Sequence, residues 1–152
     1  MMTITIKQGD IFESKCDALV CPVNCVGVMG AGLAKAFKER YPEMFTYYRD
    51  ICKREFMNFG RVYYFTESSP IIMLFPTKYH WKEKSDIQNI KTGLNYIISN
   101  HDRVPDSPWM PKSMAFPALG SGLGGLPWEI VKDIMIRKLD CLDIEIEIYE
   151  PR

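Results

Sequence analysis

The sequence carries no surplus of charge: 19 lysines and arginines face 19 aspartates and glutamates. That balance excludes a global positive field able to hold nucleic acid non-specifically. A local basic patch is left at Lys78, Lys82 and Lys84, and such a cluster reads equally as a solvated loop. Cys-x-x-Cys pairs are absent. The five cysteines at 16, 21, 25, 52 and 141 are odd in number and unpaired in spacing. This argues against a zinc site and against a disulfide scaffold, and makes reduced, mostly buried thiols the expectation. Neither metal nor other cofactor is expected. Residues 1–8 lack a long apolar run and a small-residue cleavage site. No signal peptide or membrane span is expected, and a cytoplasmic protein is. Internal repeats and low-complexity segments are also missing.

What is present suits one globular domain over residues 1–152, with 47% hydrophobic residues. Strands are expected at Thr3–Gln8, Ala18–Pro22, Arg61–Phe65, Ile71–Phe75, Ser113–Pro117 and Ile144–Tyr149, from β-branched alternation or short buried apolar runs. Helices are expected from Gly30 to Tyr41, Glu43 to Glu55, Asp86 to Asn100 and Pro127 to Leu139. Ser85 is the expected N-cap of the third helix, whose Ile87, Ile90, Leu94 and Ile97 recur at core spacing. Pro76–Lys84 and the proline-bearing segment His101–Lys112 read as loops. Strands alternating with helices imply an α/β sheet layered between helices.

Two segments repeat one logic: buried strand, glycine-rich loop, helix. The first is Asn24-Cys25-Val26-Gly27-Val28-Met29-Gly30-Ala31-Gly32, and the second is Gly120-Ser121-Gly122-Leu123-Gly124-Gly125 before Pro127. Glycines let the chain turn tightly and bring amides close to a ligand, and a helix N-terminus adds unpaired N–H groups and a positive dipole end. Together they favour an anion such as a diphosphate. The first loop is neither a P-loop nor a dinucleotide fingerprint. Two such loops in one small domain suggest two walls of one phosphate site at strand C-terminal ends. Asp10, directly after the first strand, could accept from an exocyclic amine, or could equally form an Asx turn or helix cap. In Phe75-Pro76-Thr77-Lys78-Tyr79-His80-Trp81, Lys78 is a candidate nucleophile or proton donor, while His80 and Trp81 could stack on a base.

At these motifs the chain resembles the macro domain family, the ADP-ribose-binding fold. The likeness runs from QGDIF through CPVNCVGVMGAGLAKAFKERYP, LFPTKYHW and FPALGSGLGGLPW to IEIYEP. Within the family it is most similar to a glycohydrolase branch. That branch holds enzymes removing ADP-ribose from protein glutamate and antitoxins removing it from thymidine in single-stranded DNA, with FPTKYHW and GSGLGGLPW pointing to the antitoxins. The resemblance implies a three-layer α/β/α fold with a central mixed six-stranded sheet. It implies that Asp10 and Ile11 bind adenine, that Asn24 orients the distal ribose, and that Gly30, Ala31 and Gly32 form one phosphate wall. Ser121, Gly122, Leu123 and Gly124 would form the other, and Lys78 would be the catalytic lysine. It further implies a hydrolase acting as a monomer on an ADP-ribosylated macromolecule, with a cognate ADP-ribosyltransferase toxin as partner. Such antitoxins carry a further C-terminal domain, so this chain is expected to be a standalone member or the macro domain alone. Deacylation of protein glutamate or O-acetyl ADP-ribose, dephosphorylation of ADP-ribose-1″-phosphate, and non-catalytic reading of ADP-ribose are the alternatives. The glutamate-specific relatives carry a catalytic aspartate where this chain has Gly124.

Overall fold

The computed structural model describes residues 3–103 and 110–151. In chain order the strands are β1 (Ile4–Lys7), β2 (Ala18–Asn24), β3 (Tyr63–Phe65), β4 (Ile71–Lys78), β5 (Ser113–Phe116) and β6 (Glu145–Tyr149). The helices are α1 (Gly32–Arg40), α2 (Pro42–Lys53), α3 (Ile87–Arg103) and α4 (Trp128–Leu139). One sheet holds the strands in the order β1-β6-β5-β2-β4-β3. All neighbours are parallel except the β3–β4 edge pair. The expected three-layer fold with a mixed six-stranded sheet is the fold observed.

Strand alternation feeds two cores. Ala18, Val20, Met73, Phe75, Met114 and Phe116 point to the face covered by α3 and α4, where Ile90, Leu94, Val131 and Met135 are fully buried. Leu19, Cys21, Val23, Ile72, Leu74 and Ala115 point to the other face, covered by Phe37 of α1 and by Met44, Tyr48 and Ile51 of α2. Strands buried on both faces read as continuous apolar runs, as ALVCPV and IIMLF do. Each large side chain removed from water here contributes about 1.5–3 kcal/mol.

Three expectations are corrected. First, residues 76–78 are not loop: β4 continues through Pro76 and Thr77 to Lys78. A proline lacks the N–H a ladder needs. Past Leu74, however, β4 has lost its partner β3 and pairs only with β2, so one side needs no donor. Second, α3 is capped by Asp86, not Ser85: the Asp86 Oδ1 accepts from the Gln88 N–H at 2.8 Å. Third, α3 runs on through Arg103 into the segment read as loop. Residues 104–109 of that segment lie outside the described residues.

The sheet opens at one place. β2 pairs with β5 only at Ala18 and Leu19 but with β4 as far as Asn24. The chain leaves β2 for the α1–α2 layer and leaves β5 for the layer of α3 and α4. Carboxyl ends that part, with connections departing in opposite directions, make a crevice of the kind that binds ligands in open α/β sheets.

Candidate functional site

A cavity of about 880 Å³ occupies this crevice. The loop after β2 forms one wall and the loop after β5 the other, and Thr77 and Lys78 at the end of β4 also line the cavity.

The first wall is shaped by Asn24. Its side-chain oxygen accepts from the N–H groups of Val26 at 3.1 Å and Val28 at 3.3 Å, and its amide nitrogen donates to the Val28 carbonyl at 2.7 Å. The Tyr48 hydroxyl of α2 donates to the same side-chain oxygen at 2.7 Å and lies 2.8 Å from the Asn24 carbonyl. Burial pushes the Tyr48 hydroxyl's pKa far up, so it stays a donor. Asn24 therefore spends most of its hydrogen-bonding capacity inside the loop and keeps one amide N–H for anything else. The loop then delivers Gly30, Ala31 and Gly32. Gly32 has φ +58°, a left-handed backbone that suits glycine. Ala31 caps α1 without a side-chain hydrogen bond. The backbone N–H groups of Gly30 to Ala34 thus find no protein partner among the described residues.

The second wall is a tight coil held from within. Ser121 N–H donates to Ala118 at 3.1 Å, Gly125 N–H to Gly122 at 3.1 Å and Leu126 N–H to Gly120 at 2.8 Å. Among the described residues the three successive N–H groups of Gly122, Leu123 and Gly124 have no backbone partner, an arrangement of the kind that can receive an anion. Gly120, at φ +68°, makes the turn. Gly124 is packed so closely that a Cβ there would lie 2.3 Å from the Ser85 Oγ and 2.6 Å from the Gly120 carbonyl oxygen. The walls meet: a Cβ on Gly32 would be 3.5 Å from the Leu123 Cδ1.

Lys78 is aimed by an irregularity. Val23 is opposite Pro76 but Asn24 is opposite Lys78, so Thr77 is an extra residue in β4. Bulges of this kind re-aim side chains beside functional sites. The Cys25 N–H donates to the Tyr79 carbonyl at 2.8 Å, which ties the residue after Lys78 to the first wall. Lys78 lines the cavity, is half-buried, and makes no ion pair among the described residues. Cys25 is no rival nucleophile. Burial, with Cys52 and Glu83 nearby, pushes its thiol up to about 11, so it is protonated at neutral pH.

The opposite end of the cavity is closed by Asp10, Ile11, Tyr149 and Glu150. Asp10 does form the cap considered for it: its Oδ1 accepts from the Phe12 N–H at 2.9 Å, heading the 3-10 turn Ile11–Glu13. Its second oxygen is free of protein hydrogen bonds among the described residues. Glu150 is held by the Trp128 indole N–H at 3.0 Å and by Lys132 at 3.1 Å, and these contacts keep its carboxyl below the usual range. Behind Tyr149 lies Glu147, which accepts from Ser14 at 2.7 Å and from Tyr149 at 3.0 Å. Burial alone would raise the Glu147 pKa; those two hydrogen bonds and Lys7 outweigh it and lower it.

Eleven of the thirteen residues singled out from sequence line one cavity: Asp10, Ile11, Asn24, Gly30, Ala31, Gly32, Lys78, Trp81, Gly122, Leu123 and Gly124. Ser121 and His80 do not. Ser121 turns its hydroxyl back to the Leu119 carbonyl, and the His80 Nδ1 accepts from the Lys82 N–H. Thr77, Ser85, Tyr149 and Glu150 line the cavity and were not anticipated. Ser85 is notable because its buried Oγ has no hydrogen-bond partner among the described residues. Among the described residues no three His, Cys, Asp or Glu side chains gather in a metal-sized cluster, and no helix is long and apolar enough to cross a membrane.

Comparison with known proteins agrees with this geometry. A fusion protein of Thermosipho africanus, described as a DNA ADP-ribosyl transferase–DNA ADP-ribosyl glycohydrolase, is 37% identical over 97% of this chain and 42% of its own length. The chain thus spans well under half of that relative. The solved macrodomain of Mycobacterium tuberculosis DarG is 38% identical, with a TM-score of 0.92 over 100% of both chains. The Thermosipho africanus DarTG structure, in complex with ADP-ribose, is 39% identical with a TM-score of 0.91, over 99% of this chain and 42% of that one. The macro domain family model matches residues 20–135. The chain belongs to the macro domain family.

Proposed function

We propose that this chain binds ADP-ribose in the crevice and hydrolyses the bond joining it to a modified macromolecule, with thymidine in single-stranded DNA as the acceptor. One observation carries the reading. N–H groups of Gly30–Ala34 and of Gly122–Gly124 that have no backbone partner among the described residues belong to two walls of one cavity, which a lysine also lines. A diphosphate is the anion that two such walls suit. The adenine then lies toward Asp10 and Ile11, and the distal ribose toward Asn24 and Lys78. DNA as the acceptor is supported by the relatives' names, and Gly124 speaks against a carboxylate acceptor. An aspartate at that position, as a glutamate-directed mechanism uses, has no room for even its first carbon.

In this reading the walls fix the diphosphate and hold the ribose in a reactive orientation. Positive charge developing on the sugar is stabilised by the nearby diphosphate. Lys78 either adds to the anomeric carbon of the opened sugar, the base leaving with a proton as its bond to that carbon breaks and water then hydrolysing the imine to free the lysine, or it protonates the base as that bond breaks and water takes its place on the sugar. A cognate DNA ADP-ribosyltransferase is the source of the substrate, as the fusion relative suggests.

The test is Lys78→Ala assayed on an ADP-ribosylated thymidine oligonucleotide. Turnover should fall by about a hundredfold or more while ADP-ribose still binds. Full turnover by the variant refutes the assignment of Lys78. Absence of ADP-ribose binding by the unmodified protein refutes the cradle itself.

A further inference from the structure

We infer that the rim segment Tyr79–Lys84 is a nucleobase subsite that takes the base next to the ADP-ribosylated nucleotide, with Trp81 as its platform. The inference rests on the reading above and adds what the cavity alone does not explain: how the site would select a strand over a single modified nucleoside.

The segment is anchored at both ends to the walls. Cys25 N–H donates to Tyr79 at one end, and Ser85 N–H donates to the Gly124 carbonyl at 2.9 Å at the other. Between these anchors it turns on itself, with Glu83 N–H bonded to the His80 carbonyl and Lys82 N–H to the His80 Nδ1. An exposed aromatic is ordinary when it stands alone. Trp81 does not stand alone. It borders the cavity beside Lys78 yet is 48% exposed, and its neighbour Tyr79 is 56% exposed. The His80 ring lies 5.2 Å from it at 31°, and the Lys82 Nζ is 5.1 Å from the Trp81 ring centre. Lys84 runs along the outside of the second wall, its side chain within 3.7 Å of a Cβ placed on Gly125.

These features match what a single strand offers. Every base has a face for stacking, and its backbone brings phosphates for which Lys82 and Lys84 are partners. A peptide offers neither in a regular arrangement. The neutral chain as a whole has no field to attract DNA, so recognition has to be concentrated next to the reacting bond. His80, which does not line the cavity, acts here by propping Trp81.

The experiment uses the Lys78→Ala protein, so that ligands are bound and not consumed. Its affinity is measured for ADP-ribosyl-thymidine as the nucleoside and for the same unit inside a pentanucleotide. The pentanucleotide should bind more tightly, and Trp81→Ala should lower the ratio of the two affinities by about fivefold to a hundredfold. Trp81→Phe should keep most of that ratio. The double variant Lys82→Ala, Lys84→Ala should reduce the slope of log affinity against log salt by about 1.4 for the pentanucleotide. No preference of the parent protein for the pentanucleotide, or a ratio unchanged by Trp81→Ala, overturns the subsite and leaves ADP-ribose binding intact. Failure to bind either ligand overturns both readings.

Discussion

Placing one methyl group at position 124 tests the second wall directly. In Gly124→Ala the new Cβ would stand 2.3 Å from the Ser85 Oγ, 2.6 Å from the Gly120 oxygen and 3.0 Å from the Gly120 carbonyl carbon. The serine hydroxyl can rotate aside. The Gly120 carbonyl cannot, because it accepts the Leu126 N–H that closes the loop. The coil must therefore shift, and the N–H groups of residues 122–124 turn with it. A hydrogen bond to a charged group contributes about 1.5–3 kcal/mol. Misaligning two of them costs about 3–6 kcal/mol, or roughly a hundred- to ten-thousandfold in ADP-ribose affinity. Calorimetric titration of ADP-ribose measures this. Thermal melting of Gly124→Ala beside the parent serves as the folding control. Adding Ser85→Ala to Gly124→Ala relieves only the softer contact and should restore a minor part of the loss. Affinity of Gly124→Ala within threefold of the parent, or full rescue by Ser85→Ala, would refute the reasoning.

Two further outcomes follow from groups outside the cradle. Tyr48→Phe removes the hydroxyl donor to Asn24, whose side-chain oxygen keeps the Val26 and Val28 N–H groups. A loss of about 0.5–1.5 kcal/mol is expected, seen as a Tm lower by roughly 1–6 °C, and an unchanged Tm would show that the first loop does not depend on this brace. Glu147 has a folded pKa below its ordinary 4.5. Its contribution is therefore complete above that value and is lost as pH falls through the lowered one. Urea midpoints should fall more steeply for the parent than for Glu147→Gln between about pH 5.5 and pH 3; parallel curves would remove Glu147 from the account.

The glycine loops were legible because each follows a strand buried on both faces and precedes a helix, a local pattern. So was the sheet, whose strands differ from expectation mainly at their ends. What escaped depends on partners distant in sequence. Asn24 faces Tyr48, which is on α2, so nothing local distinguishes an amide that organises its own loop from one that binds sugar. Tyr149 and Glu150 reach the cavity only because β6 lies between β1 and β5. Ser85 and Asp86 are both good caps, and residue type could not tell which would serve. Residues 76–84 show no periodicity, and that β4 can carry Pro76 and run on to Lys78 depends on the loss of β3 as a neighbour beyond Leu74, a property of the assembled sheet.

The two walls are braced from opposite layers. Tyr48 of α2 holds the first through Asn24, and Ser85, just before α3, holds the second through the Gly124 carbonyl. Both walls present main-chain donors, which substitution of side chains on the rim, such as Lys78 and Trp81, leaves in place. On the proposed reading, grip on a diphosphate is thus a property of the fold and of a few buried contacts behind it. Choice of acceptor would be different in kind: it would fall to Lys78, Trp81 and the lysines on the rim, side chains that can change without disturbing either wall. Substitutions behind the walls should therefore weaken every ADP-ribose ligand alike, whereas those on the rim should alter which ADP-ribosylated molecule is preferred.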